Sequence, residues 1–171
     1  MATVSKDIMT PVASEFNAPP FSVTCGEAAS QTFPQGWIVY NAGSGYVSDP
    51  ASDTPTSILG VAAQDAHNLS VATAQNLAVD FATAGTVFAA NVLAGSLADH
   101  VLAQSDLLTP MAIQRDTSST PNKIYLNSST KSGSNTRVFT LRTAQGTSIG
   151  DTNGRVTFVF LPNYIQSMGT S

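Results

Sequence analysis

From Gly36 onward the chain consists of short apolar phrases, each closed by glycine, proline or an Asn/Asp-rich stretch, and this punctuation limits the folds open to it. "GWIVY" and "GYVS" flank "NAGSG", whose Asn and Gly residues reach the positive φ of a tight turn. "NLAVDFA" alternates, with Leu77, Val79 and Phe81 on one face and Ala78, Asp80 and Ala82 on the other. "GTVFAANV" puts Phe88, Ala90 and Val92 together, and "NKIYLN" pairs Ile124 with Leu126. "TRVFTLRT" sets Phe139 and Leu141 opposite Val138, and "RVTFVFLP" aligns Val156, Phe158 and Phe160. Turn signals roughly every 8–12 residues argue for an all-β fold, a compact β-sandwich or barrel. No repeat of useful period accompanies them.

Three details refine this reading. In "SILGVAAQDA", Ile58, Leu59 and Val61 read as a strand buried on both faces, and Gly60 allows a bulge or a close backbone approach. Asn153-Gly154 in "GDTNG" is a strong hairpin signal. "GSLADHVLAQSDLLTP" breaks the β pattern. Ser96 as candidate N-cap, Asp99 three residues later, Leu97 and Val101 on one side and a closing Pro110 predict one short helix, or two turns of helix, over roughly 97–108.

Residues 1–35 read differently from 36–171. Pro11, Pro19, Pro20 and Pro34 disfavour helix, and no period of 2 or 3.6 is sustained. Yet Val12, Phe16, Phe21, Val23 and Phe33 are too apolar for a bare linker. An extended N-terminal arm that is ordered by lying on something fits both facts. It lies either on its own domain, residues 36–171, or on a neighbouring subunit.

Chemistry is scarce. Charged residues make up 11% of the chain, against roughly 25% in ordinary domains, and hydroxyls and amides take their place. Seven basic residues and a net charge of −4 give no basic stripe, so nucleic acid is not an expected partner. Cys25 is the only cysteine, which rules out an intrachain disulfide, a redox pair and a Cys-based zinc site. His67 and His100 are the only candidate bases near neutral pH. Asp65 and Asp99 lie beside them in sequence, no G-x-S-x-G elbow is present, and both read as exposed turn histidines. Asp49 and Asp53 in "DPASD" supply too few ligands for calcium, and H-x-x-x-H and EF-hand patterns are missing. Trp37, Tyr40 and Tyr46 cluster around one turn and could form a stacking platform for sugar, or anchor a strand pair. The expectation is a non-enzyme with no catalytic, cofactor or metal residues. The N-terminus lacks the apolar core of a signal peptide and no run approaches the roughly 20 residues of a membrane span. A chain made in the cytoplasm, with no membrane partner, is expected.

The ordered phrases "GWIVY", "GYVSD", "DTPTSILGVAAQDA", "LAVDFATAGTVFAANV", "LADHVLAQSDL", "NKIYLNSST", "TRVFTLRTA" and "GDTNGRVTFVFLP" resemble the head decoration, or cement, proteins of tailed bacteriophages. The resemblance covers residues 36–162 and leaves out the arm. It implies a β-tulip-like decoration domain, a homo-oligomer, often a trimer, and a place on the outer surface of an icosahedral virion. The implied partner is the major capsid protein, whose neighbouring subunits such proteins clamp together. On this reading the interaction residues are Val12, Phe16, Phe21, Val23, Trp37, Tyr40 and Tyr46. The alternative is a virion-displayed binding module for glycans or a host surface, with the three ring residues as its stacking platform.

Overall fold

The computed structural model describes residues 1–14, 21–43 and 45–166, and they form an all-β protein. β1 (Thr10–Ser14) comes first, followed by β2 (Ser22–Glu27), β3 (Ile38–Asn41), β4 (Tyr46–Ser48), β5 (Gly60–Ala62) and β6 (Thr73–Phe81). β2 to β6 close into a barrel in the order β2-β4-β3-β5-β6. β7 (Thr86–Leu93), β8 (Pro110–Asp116), β9 (Lys123–Asn127), β10 (Val138–Thr143) and β11 (Arg155–Phe160) follow in the order β7-β11-β10-β8-β9. Pairing of β9 with Val92 and Leu93 at the end of β7 closes this second ring as well. β1 runs antiparallel along the first half of β7.

The two rings share one topology. Naming the strands of each ring in chain order, the first pairs with the third and fifth, the second with the third and fourth, and the fourth with the fifth. In both, the first–third pair is parallel (β2 with β4, β7 with β9) and every other pair is antiparallel. The sequence carries no matching repeat. A strand position demands only alternation and volume, so two segments can take the same ring order without sharing residues.

The apolar faces named by the alternation are buried, but β7 and the end of β6 are covered on the opposite face too, where Asp80, Ala82, Ala89 and Asn91 are buried. Leu77 and Val79 are fully buried, and Phe81 nearly so. Phe88, Phe158 and Phe160 meet in the second barrel with ring centroids 5.2–6.0 Å apart, within the range of favourable offset and edge packing. "GWIVY…GYVS" is the β3–β4 hairpin, with Gly43 at φ +88° and Gly45 at φ +81°. Ile58, Gly60 and Val61 are buried, so "SILGVAA" is covered on both faces as expected.

Two sequence expectations fail. The helix over 97–108 is absent. Two 3₁₀ turns, Gly95–Leu97 and Gln104–Asp106, stand there instead. Ser96 caps nothing and takes φ +59°, and Val101 forms an antiparallel bridge with Thr152. The segment crosses the end of the second barrel, where bonds to neighbouring strands replace the helical ladder. Asn153-Gly154 is not a hairpin tip either. Asn153 is 2% exposed, and its side chain donates to Asp99 and accepts from the His100 N–H. Its positive φ serves a buried crossing point rather than a surface turn.

The residues assigned to the arm pair with their own chain. β1 joins β7 and β2 joins β6. Met9 is 1% exposed in the core. Asn91, fully buried, accepts from Asp7 N–H and donates to the Ser5 carbonyl. Arg155 donates to the carbonyls of Ile8 and Ala89 and pairs with Asp7.

Polar groups also join the two barrels. Arg115 on β8 pairs with Asp49 (2.9 Å), and its guanidinium lies 4.9 Å above the Trp37 ring. Arg137, 4% exposed, donates to the carbonyls of Pro55 and Thr54 in the β4–β5 connection. After β11 the chain turns back, and Ile165 bridges Ile58 beside β5.

Candidate functional site

The two histidines were the sharpest candidates for chemistry, and both have carboxylate partners that sequence proximity did not reveal. His67 Nδ1 lies 2.6 Å from Glu27 Oε2, and its backbone N–H donates to Glu27 Oε1. Glu27 ends β2 and is fully buried. His100 Nε2 lies 2.8 Å from Asp106 Oδ2. Asp65 instead accepts from the Gln35 N–H, and Asp99 pairs with Lys6. Nothing in the sequence around Glu27 or Asp106 marks either acid as a histidine's partner; the pairing comes from chain segments brought together by the fold.

A carboxylate-oriented histidine is two thirds of a nucleophilic triad. The third member is missing here. Among the described residues, His67 Nε2 meets only the amide of Gln64, at 3.5 Å. No serine, threonine or cysteine side chain bonds to either imidazole among the described residues. The pairs fasten structure instead. Asp106 also binds Lys131 Nζ (2.7 Å) and the Ala103 N–H (2.7 Å), which ties the irregular crossing segment to the β9–β10 loop. Burial pushes the Asp106 carboxyl up, but the bonds from Lys131, Ala103 and His100 outweigh it and hold it below the usual aspartate range.

An acid with a lowered folded-state pKa stabilises the fold above its unfolded value, near 3.9, and loses that contribution as pH falls through the folded value. Asp106→Asn should therefore cost stability at pH 7, and the gap to the parent protein should narrow below about pH 4. Thermal melts of both proteins from pH 7 to pH 2.5 check this; a gap that stays constant across the range would contradict it.

The loop acids Asp49 and Asp53 both serve Arg115, the first through its guanidinium and the second through its backbone N–H. No group of three or more potential metal-ligating side chains occurs among the described residues. Cys25 is half-buried beside the first barrel's core, where burial pushes its thiol up. No helix among the described residues is long and apolar enough to cross a membrane.

The expected interaction residues separate. Val12 is 52% exposed on β1, Phe21 is 55% exposed, and Val23 packs partly against the core. Phe16 lies outside the described residues. Trp37 is 2% exposed beneath Arg115, so no face of the indole is free for a ligand. Tyr40 is half-buried at a shallow cleft of about 250 Å³, and Tyr46 lays its ring over Gly26. The three aromatics do not form one platform.

Two features remain on the surface. The Phe21 ring lies 5.7 Å from that of Phe81 and borders an apolar groove of about 230 Å³ floored by Leu59, Ala82 and Ile165. A larger, polar cleft of about 470 Å³ opens along β8. Comparison of the chain with family models, with curated proteins and with solved structures gives no match.

Proposed function

We propose that this protein is a structural component of a tailed-phage virion. It binds the outer surface of the icosahedral head as a homo-oligomer, a trimer, and cements neighbouring major capsid protein subunits. The observation that carries the reading is the apolar groove with exposed Phe21 at its rim, on a surface otherwise rich in hydroxyls and amides. A half-exposed aromatic beside an apolar depression is the usual anatomy of a contact hot spot. The resemblance of residues 36–162 to decoration proteins supplies the partner. The protein performs no catalysis and contacts neither nucleic acid nor membrane. It is made in the host cytoplasm and joins the head there.

Multivalency provides the mechanism. Each groove makes a small contact, and joined copies raise the effective concentration of the remaining contacts once one has formed. The outer edge of β1 is a poor site for adding a strand from a neighbour, because Pro11 and the register shift next to it blunt that edge. Side-chain contact at the groove is therefore the favoured mode.

Phe21→Ser tests this. Binding to shells stripped of the protein should fall by about tenfold or more, the scale of a hot-spot truncation. Phe21 is only half covered, so the melting temperature should move little. Sedimentation of shells with added protein reads the first, and a thermal melt reads the second. Undiminished shell binding by a folded Phe21→Ser variant would remove the groove from the contact.

A further inference from the structure

We propose that the polar cleft along β8 is a binding site for a neutral saccharide, separate from the capsid-contact groove. The cleft encloses about 470 Å³, within the range of roughly 300–1,000 Å³ typical of small-ligand sites. Ser96, Gln114, Asn127, Thr130 and Asn135 line it, with Leu97 and Ala112 as its apolar surface.

Gln114 is the central observation. It is 6% exposed, and its amide nitrogen donates to the Ala94 carbonyl at 3.1 Å. Its amide oxygen has no protein partner among the described residues. That oxygen reaches the surface of the cleft, where it is open to a donor from a ligand or from water. The strand beneath adds further unpaired groups. β10 pairs with β8 only at Pro110 and Met111, where the Arg137 N–H donates to the Met111 carbonyl. By the alternation of an antiparallel ladder, Ile113 and Arg115 turn their backbone groups to that same side, away from β9. Asp53 takes the Arg115 N–H, which leaves the Ile113 N–H and carbonyl facing no strand.

Arg115 is the one cation lining the cleft, and the carboxylate of Asp53 beside it disfavours an anion. Arg115 is committed to Asp49 and to the face of Trp37, and Asp53 to the Arg115 backbone. A phosphate or carboxylate ligand would need an uncommitted cation. A peptide added as a strand would need a longer open edge and pockets for alternate side chains. Amides and hydroxyls each offer both donor and acceptor, which matches sugar hydroxyls, groups that do the same. The rim turn is also strained. Ser96 and Leu97 hold φ of +59° and +62°, a region that residues other than Gly, Asn and Asp seldom adopt. Such strain gathers at binding sites, where surrounding structure holds it.

The test is a glycan array carrying bacterial cell-surface and animal glycans, probed with the labelled full chain. Amide shifts of Gln114 and Asn135 are then followed by NMR on titration with the best-bound glycan. At least one glycan should bind, with shifts confined to the cleft. Gln114→Leu and Asn135→Ala should each weaken binding at least tenfold, and Tyr40→Ala, in the neighbouring cleft, should leave it unchanged. Asn135 is exposed, so its variant keeps the fold and stays informative if Gln114→Leu does not. No glycan above background, shifts outside the cleft, or full binding by the folded Asn135→Ala variant would overturn the proposal. Shell binding is read separately and should survive Asn135→Ala, so failure of the cleft and failure of the capsid reading are distinguishable.

Discussion

Gly60→Val should yield no stable folded protein. β5 is three residues long and pairs β3 on one side and β6 on the other, with Gly60 opposite Phe81. A Cβ at this position would overlap the carbonyl oxygen of Asp80 and come within 3.0 Å of the Asp80 carbonyl carbon and the Phe81 Cα. These are backbone atoms of a paired strand and cannot rotate away as a flexible side chain would. Relief requires β5 to shift from β6, which opens the first barrel. The expected loss is about 4 kcal/mol or more, the range reserved for severe core disruption and a large part of a typical total of about 5–15 kcal/mol. Because the clash is made by the Cβ itself, Gly60→Ala should lose nearly as much. Gly95→Ala, where a Cβ would sit 3.4 Å from the Ser129 hydroxyl, is the matched control. Soluble yield and thermal melts decide the matter. A Gly60→Ala protein that melts with the parent would show that the strands are not this close.

Arg137→Ala should separate the barrels' shared seam. The guanidinium donates to four carbonyls, those of Pro55 (2.6 Å), Thr54 (2.9 Å), Thr136 (2.9 Å) and Ser134 (2.5 Å). It also lies 4.0 Å from the centroid of the Tyr164 ring. No carboxylate pairs with it among the described residues; carbonyl dipoles and a π face carry the compensation for its burial. Truncation leaves those carbonyls without their donor and opens a space beneath Tyr164. Hydrogen bonds to a charged group contribute about 1.5–3 kcal/mol each but do not add, so the expected cost is about 3–5 kcal/mol. For a chain of this size that lowers Tm by roughly 10 °C or more. Arg137→Lys should recover little, because one ammonium cannot reproduce a planar fork of donors. A loss below about 1 kcal/mol, the value of a surface pair, would mean that the seam is held elsewhere.

The legible part of the fold is the part governed by alternation. "NLAVDFA" and "RVTFVF" declare their inward faces because every second residue is large and apolar, and those residues are buried, although Asp80, Ala82 and Thr157 on the other faces are covered too. Gly60 was legible for the same reason: a glycine inside an apolar strand needs a steric cause. The 97–108 helix was misread because Leu97 and Val101 stand at helical spacing. Val101 in fact bridges Thr152 and is 46% exposed, so the spacing reflects no buried helical face. Asn153-Gly154 has the same dipeptide chemistry in a hairpin and in a buried crossing, and local sequence does not separate the two. Pairing across a ring is equally hidden: nothing near Glu27 points to His67, and nothing near Asp49 points to Arg115.

At the surface the same division holds. Phe21 was legible as an apolar residue with no periodic role, and it is exposed. Trp37 was grouped with Tyr40 and Tyr46 by proximity, but it lies inside just before β3, where Ile38 and Val39 are buried as well, beneath a guanidinium from the other barrel. Gln114 passed unnoticed because an amide in a strand resembles any other polar residue until its surroundings are known.

The central claim is that this chain belongs to the shell of a phage head. Its copy number in purified virions, measured by quantitative mass spectrometry against the major capsid protein, tests that claim most directly. A cementing protein should be present in hundreds of copies, in fixed ratio to the capsid protein, and shells stripped of it should disassemble at lower temperature. Absence from the virion, or only a few copies per particle with shell stability unchanged, would contradict the account.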